Sequence, residues 1–191
     1  STTYAVLKTI STITDLNTTD ADVIDVSTAQ NVDSTPNISG FEFINFNLDY
    51  KTPVEQAIIN LNTISNFDTI TFVNGSTDTK TAKISVLNAS GKLKFDNGFT
   101  GIDVYTGQNE NIGIETSEDS IISIPNSTGA LTINGGGKSV NVVTLNTGKI
   151  DISNNSGITL KAEQASDSLN LVSNGTVTVS EAAAVTGNIT I

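Results

Sequence analysis

The 191-residue chain has a formal net charge of −11 and contains no Cys, His, Met, Trp or Arg. The missing Cys and His remove disulfides, thiolate nucleophiles, the usual zinc ligands and the usual general base near neutral pH, which disfavours most enzyme chemistries. The missing Arg and the acidic balance argue against a nucleic-acid partner, which needs a basic surface, and no apolar run approaches the ~18 residues of a membrane span.

The first candidate site is the acidic stretch DLNTTDADVID, which contains Asp15, Asp20, Asp22 and Asp25. Carboxylate oxygens are the ligands that Ca²⁺ prefers. Asp20 and Asp22 on a loop, with Asp25 close behind them, therefore form a candidate calcium site. The spacing is not that of an EF-hand, because Asn31 stands where the final Glu belongs and the sixth position holds no Gly. The alternative is a solvated acidic loop that leads into a strand.

Residues 1–68 are predicted to form an N-terminal β segment with one short helix. ADVIDV and FEFINFNL read as strands. TPVEQAIINL predicts a helix over residues 53–62, with Thr52 as N-cap, Pro53 at the first helical position, and one apolar stripe at positions 54, 57, 58 and 61. A helix-bearing segment of this kind can cap the end of a repeat array.

Residues 69–191 are predicted to form a second, repetitive β domain. Apolar–polar–apolar triplets such as ITF at Ile70, LTI at Leu131 and ITI at Ile189 recur about every ten residues. The period of two indicates short strands with one buried face, and the Gly-containing gaps between them indicate turns. The last triplet ends without a capping pattern, which predicts a fragment or a chain that stacks onto something else.

Two mainly β architectures fit this repeat, a parallel β-solenoid of the β-roll kind and an antiparallel β-sandwich. The triplets are shorter than the ~5–6 residues of a typical strand, and aliphatic inward positions suit stacked ladders, so the solenoid is favoured. If two triplets make one coil, a coil has about 19 residues and residues 70–191 hold roughly six coils.

The stretch TINGGGKSV, residues 132–140, ends like a phosphate-binding Walker A loop. With Gly137, Lys138 and Ser139 as its end, however, the first Gly of that motif falls on Thr132, and the strand-like run VNVVTL follows where a helix is needed. The calcium-binding nonapeptide of β-rolls also fails, because its third Gly and its Asp fall on Lys138 and Val140. We predict a turn between two strands, with Lys138 and Ser139 facing solvent.

Three segments, DADVIDVSTA, ISGFEFINFNL and ISNFDTITF, followed by the long Gly/Asn/Thr repeat, resemble Gram-negative S-layer proteins and related surface proteins secreted by the type I route. The resemblance covers most of the sequence and is one of composition and repeat style. It implies secretion without a cleaved signal, a lattice held partly by calcium, and no enzymatic activity. The sequence has no intact Gly-Gly-x-Gly-x-Asp repeat.

The leading hypothesis is therefore a non-enzymatic structural component of an extracellular surface layer. Its expected partners are copies of itself in a lattice or filament, with cell-surface polysaccharide as a further partner, and Ca²⁺ as the ion. The alternative is an adhesin or fibre segment that binds a surface glycan. A solenoid enzyme acting on polysaccharide is a third reading, disfavoured because the chain has no Trp and only three Tyr to stack on sugars.

Overall fold

The structure is a computed structural model that describes residues 2–3, 11–17, 20–49, 56–75, 83–107, 110–125, 129–145, 148–162, 168–181 and 189–190. All regular elements within these ranges are strands. In chain order they are β1 Thr2–Thr3, β2 Thr12–Thr14, β3 Val23–Thr28, β4 Asn37–Ser39, β5 Phe43–Leu48, β6 Ala57–Asn60, β7 Ile64–Ser65, β8 Thr69–Asn74, β9 Lys83–Ala89, β10 Gly91–Asp96, β11 Gly101–Thr106, β12 Ile112–Thr116, β13 Ser120–Ile124, β14 Leu131–Asn134, β15 Ser139–Thr144, β16 Lys149–Ser153, β17 Gly157–Ala162, β18 Ser168–Leu171, β19 Val177–Glu181 and β20 Ile189–Thr190.

The strands form three parallel sheets in which each coil stacks on the one before it. The first sheet has ten strands in the order β1-β3-β5-β8-β10-β12-β14-β16-β18-β20. The second has seven, β19-β17-β15-β13-β11-β9-β6, and the third has three, β2-β4-β7. Consecutive strands thus fall in different sheets, while strands one coil apart pair in parallel. The molecule is a parallel β-solenoid, which confirms the favoured architecture over the sandwich.

The register confirms the predicted coil length. Ile114 pairs with Ile133, and Ile133 with Ile152, so that one coil takes up about 19 residues. Earlier coils are longer, since Ile44 pairs with Ile70. Within the described residues from 70 onward, six coils contribute a strand to both main sheets, as the triplet count predicts.

The stretch TINGGGKSV is a turn between β14 and β15, as predicted. The N–H of Lys138 donates to the carbonyl of Gly135 at 2.9 Å, and Gly136 and Gly137 take positive φ values of 58° and 80°. Two consecutive positive φ values define a type I′ turn, which glycine adopts without steric cost. Lys138 and Ser139 are exposed.

The core is a set of inward-facing ladders, one side chain per coil. Along most strands every second residue is buried, and one column of the first sheet runs through Ile70, Leu93 and Ile114. A neighbouring column holds Phe46 and Phe72 with ring centroids 5.7 Å apart, and Phe72 and Phe95 at 5.1 Å, both pairs stacked. Parallel stacking in register places like residues above one another, which produces these aromatic and aliphatic ladders.

The predicted helix over residues 53–62 is wrong. Ala57–Asn60 is strand β6, which pairs in parallel with β9, Ala57 opposite Ile84 and Ile59 opposite Val86. Ala57 and Ile59 are buried while Ile58 is only partly so, which is the period of two of a strand. The proposed cap residues Thr52 and Pro53 lie outside the described residues.

The two predicted strands of the N-terminal segment are confirmed as β3 and β5. Hydrogen bonding crosses the boundary predicted between residues 68 and 69, because β5 pairs with β8 from Phe43 opposite Thr69 to Leu48 opposite Asn74. The division into two domains stays a prediction. The third sheet is confined to this N-terminal part, where it adds a side to the first coils and creates the corner that holds the acidic residues.

Candidate metal centre

The acidic residues lie on the loop that joins β2 of the third sheet to β3 of the first. β2 ends at Thr14, and the N–H of Asp15 donates to the carbonyl of Ser39 in the next coil at 3.0 Å. The Asp15 carboxylate then accepts from the N–H of Asn17 at 2.9 Å, a local Asx turn that directs the backbone away from the strand. Asp15 is therefore fixed by the end of a strand.

Three carboxylates come together at this corner. Asp15, Asp20 and Asp22 each offer one oxygen, and these oxygens all lie within 4.8 Å of one another. Asp15 and Asp22 are half-buried and Asp20 is exposed. Like charges at this separation repel one another unless a proton or a cation lies between them.

The close approach of Asp15 and Asp22 shifts the pKa of both carboxyl groups. A hydrogen bond between the two side chains raises the pKa of Asp22 to about 6, and partial burial and the charges of Asp15, Asp20 and Glu42 add to the rise. The same hydrogen bond, followed by those from the backbone, lowers the pKa of Asp15 below the ordinary Asp value. Below about pH 6, and without a cation, a proton on Asp22 relieves the repulsion between the two carboxylates.

Residues of the second coil contact the corner and fix its backbone. The N–H of Asp22 donates to the Glu42 carboxylate at 3.0 Å, and the N–H of Phe43 donates to the carbonyl of Asp22 at 3.1 Å. Gly40 has a φ of 84° and packs against the Asp15 carbonyl so closely that a Cβ would collide with it. The corner is therefore built by two coils, and Glu42 adds a fourth carboxylate beside the three.

The sequence-predicted ligands divide between two places. Asp20 and Asp22 lie in the cluster. Asp25 is on strand β3, and its carboxylate accepts from the Asn45 side-chain amide at 2.8 Å on the outer face of the first sheet. Asp15, which belongs to the same acidic stretch but not to the predicted ligand set, completes the cluster instead. The sequence signal for Asp15 is the short alternating run TIT before it, which marks the end of a strand.

The cluster can hold a metal ion. It offers hard oxygen donors, which suit Ca²⁺ and Mg²⁺ rather than softer metals. One oxygen of Asp15, Oδ2, is buried and has no hydrogen-bond partner among the described residues. An acceptor of this kind fits a hard cation.

A second feature is a groove on the outer face of the second sheet, with a volume of about 620 Å³. It crosses successive strands from β9 to β19 at their N-terminal ends. Small polar side chains line much of it, including Thr100, Ser139, Asn141, Ser156, Thr159 and Thr176. Ile121 projects into it with 58% of its surface exposed. Lys83 and Asp119 are its charged members, so the groove is close to neutral in a strongly acidic protein.

No protein-family model, curated protein or solved structure matches the sequence. The resemblance to S-layer and type I-secreted proteins therefore stays a prediction. None of the residues that the structure describes belongs to a helix long and apolar enough to cross a membrane.

Proposed function

We propose that the protein is a structural, non-enzymatic component of an extracellular surface layer that assembles with copies of itself and is stabilised by calcium. The observation that carries the proposal is the continuous parallel stack, in which ten strands pair in one sheet and seven in another. A stack of this kind is a stiff rod whose outer faces repeat at the ~4.8 Å spacing of hydrogen-bonded strands. Repeating faces suit side-by-side contacts between copies.

Calcium has a specific place in this proposal. The cluster of Asp15, Asp20 and Asp22 joins the loop of the first coil to the second, where Glu42 and Gly40 contact it. A cation there replaces mutual repulsion with shared coordination and fixes the first coil on the stack. Calcium is the hard ion that extracellular modules commonly bind at millimolar levels, with dissociation constants of roughly 10⁻⁴–10⁻³ M.

The test is assembly of the purified protein at high concentration with calcium and with a chelator, followed by light scattering and electron microscopy. Ordered sheets or filaments with calcium, dispersed by the chelator, are the expected result. The double change Asp20→Asn and Asp22→Asn should abolish the calcium effect, whereas Asp25→Asn, outside the cluster, should keep it. A monodisperse particle that is indifferent to calcium would contradict the proposal.

The groove on the second sheet favours a second candidate function, binding of a surface glycan by an adhesin or fibre segment. Its hydroxyl and amide groups can hydrogen-bond an uncharged polyhydroxylated polymer laid across the strands. A glycan array would show one saturable hit, weakened by Asn141→Ala in the groove and unaffected by Thr132→Ala on the first sheet. Binding that is equally lost or equally kept in both variants would exclude the groove as the site.

A further inference from the structure

The sequence contains four Asn-Gly pairs, at Asn74, Asn97, Asn134 and Asn174. Asn followed by Gly is chemically labile, because glycine has no side chain to shield its backbone nitrogen from the Asn side-chain carbonyl. The reaction requires a side-chain amide free to turn and a glycine nitrogen free to attack. The four pairs differ in both respects.

The pair at Asn134 is held on both sides. The Asn134 side-chain oxygen accepts from the N–H of Gly136 at 3.0 Å and from the Asn154 side-chain amide at 2.8 Å. The N–H of Gly135 donates to the carbonyl of Ser153 at 3.1 Å. Several hydrogen bonds must open before this amide and this nitrogen can meet.

The pairs at Asn74 and Asn174 are also constrained. Asn74 is only 2% exposed, and Gly75 lies so close to the Leu48 carbonyl that a Cβ would collide with it. Asn174 is exposed, but the N–H of Gly175 donates to the Ser173 hydroxyl at 3.1 Å. Its attacking nitrogen is therefore engaged.

The pair at Asn97 has neither constraint. Asn97 is exposed at the corner between β10 and β11, and its side-chain amide has no hydrogen bond to another described residue. The same holds for the N–H of Gly98. Both residues have positive φ, 69° and 99°, a conformation of tight turns that strand pairing does not enforce.

We infer that Asn97 is a spontaneous modification site, which converts to an aspartyl or isoaspartyl residue ahead of the other Asn-Gly pairs. The Gly98 nitrogen attacks the side-chain carbonyl carbon of Asn97, and the new bond between these two atoms closes a succinimide ring. The bond from that carbon to the amide nitrogen of Asn97 breaks, and ammonia leaves with the proton that the Gly98 nitrogen gives up. Water then opens the ring at either carbonyl.

The product alters the corner in two ways. It adds a carboxylate next to Asp96, whose own carboxylate pairs with Lys94 at 3.2 Å. The isoaspartyl form also lengthens the backbone by one carbon just before Phe99, which is buried and packs edge-on against Phe95. A slow chemical change at an exposed turn is thereby transmitted to the aromatic core.

The experiment ages the folded protein at physiological temperature and mildly alkaline pH and follows all four sites by peptide mapping with mass spectrometry. Conversion at Asn97 should be about tenfold or more faster than at Asn134, where ordinary hydrogen bonds must first open. Methylation by an isoaspartyl methyltransferase should report the isoaspartyl fraction, and Asn97→Gly, which suits the positive φ of this position, should remove the signal from this site while the fold is retained.

The matched control is the same protein unfolded in denaturant, where no contact protects any site. There the four pairs should react at similar rates, so that the ranking in the folded protein reports structure alone. Equal rates at Asn97 and Asn134 in the folded protein, or faster conversion at Asn74, would overturn the inference.

Discussion

Gly40 is the residue on which the position of Asp15 depends most directly. Its φ of 84° is unfavourable for any side chain, and a Cβ would strike the Asp15 carbonyl. Gly40→Ala should therefore lower the free energy of unfolding by about 2–3 kcal/mol through strain and displacement of the corner. It should also weaken calcium binding, because the Asp15 loop must move. Urea unfolding and calorimetric titration measure the two effects.

Gly137 offers a matched control for this substitution. Its φ of 80° is nearly the same, but no atom lies within 4 Å of its added Cβ. Gly137→Ala should cost only the backbone strain, about 1 kcal/mol, and leave calcium binding unchanged. Equal effects of the two substitutions on calcium would show that Gly40 does not position the cluster.

The raised pKa of Asp22 predicts a pH dependence. A carboxyl with a folded-state pKa of about 6, against 3.8 in the unfolded chain, contributes stability below pH 3.8, and this is lost as pH rises through about 6. Asp15, with a lowered pKa, acts in the opposite sense below the ordinary value. In a chelator, the melting temperature should therefore fall between pH 4 and pH 6 because of Asp22.

Calcium should reverse this trend, because a cation competes with the proton for the same oxygens. Apparent calcium affinity should be highest above about pH 6 and decline as Asp22 is protonated. Asp22→Asn should flatten both profiles, whereas Asp25→Asn should leave them intact. A profile unchanged by Asp22→Asn would assign the titration to another group.

At the scale of the element, the stacked aromatic ladder makes the middle of the first sheet a sensitive point. Phe72 is fully buried between the rings of Phe46 and Phe95. Phe72→Ala should lower the free energy of unfolding by about 3–5 kcal/mol, since it removes a ring and leaves a cavity between two coils. Phe43→Ala, on the outer face and 38% exposed, should cost about 1 kcal/mol or less. Chemical unfolding followed by circular dichroism compares them.

The strands and the wrongly predicted helix show where sequence reasoning reaches its limit. Alternation located the strands of the repeat, because an inward ladder requires every second residue to be apolar. AIIN over residues 57–60 fits both a helical stripe and a strand. Pairing with β9, the corresponding strand of the next coil, sets Ile59 opposite Val86 and decides for the strand. Such long-range pairing overrides local propensity, and the residues of the segment alone do not reveal it.

The sequence predicted only part of the candidate metal site. Asp20 and Asp22 could be proposed because two carboxylates on one loop suggest a hard cation. Asp15 joins them because β2 and β3 lie in different sheets, and the end of β2 meets the residues before β3 at one corner. Glu42 enters from the next coil, where its carboxylate accepts from the N–H of Asp22. Both additions depend on stacking register, which the acidic stretch does not encode.

For the whole molecule, register is the property that makes the stack continuous. Ile114 pairs with Ile133, Ile133 with Ile152, and Ile152 with Leu171, so three successive steps of this sheet keep one repeat length. An odd number of residues per coil does not change which side chains of a strand face the core. The turns at the corners accommodate the extra residue between one strand and the next. Each coil contacts mainly its neighbours, and stability is accordingly a sum of similar local contributions.

Removal of one whole coil tests this additivity. Deletion of residues 134–152 joins Ile133 to Ser153. Ser153 normally follows Ile152, which pairs with Ile133, so the junction preserves the stacking register. The shortened protein should keep its β-sheet circular dichroism and unfold cooperatively, with a smaller denaturant slope because less surface is buried. Deletion of residues 132–149 is the control, because it places Ile150 directly after Leu131 inside the strand, which turns Ile150 and Ile152 outward and Asp151 inward. That variant should lose stability severely or aggregate. If both deletions were tolerated equally, or both were not, stacking register would not be what holds the coils together.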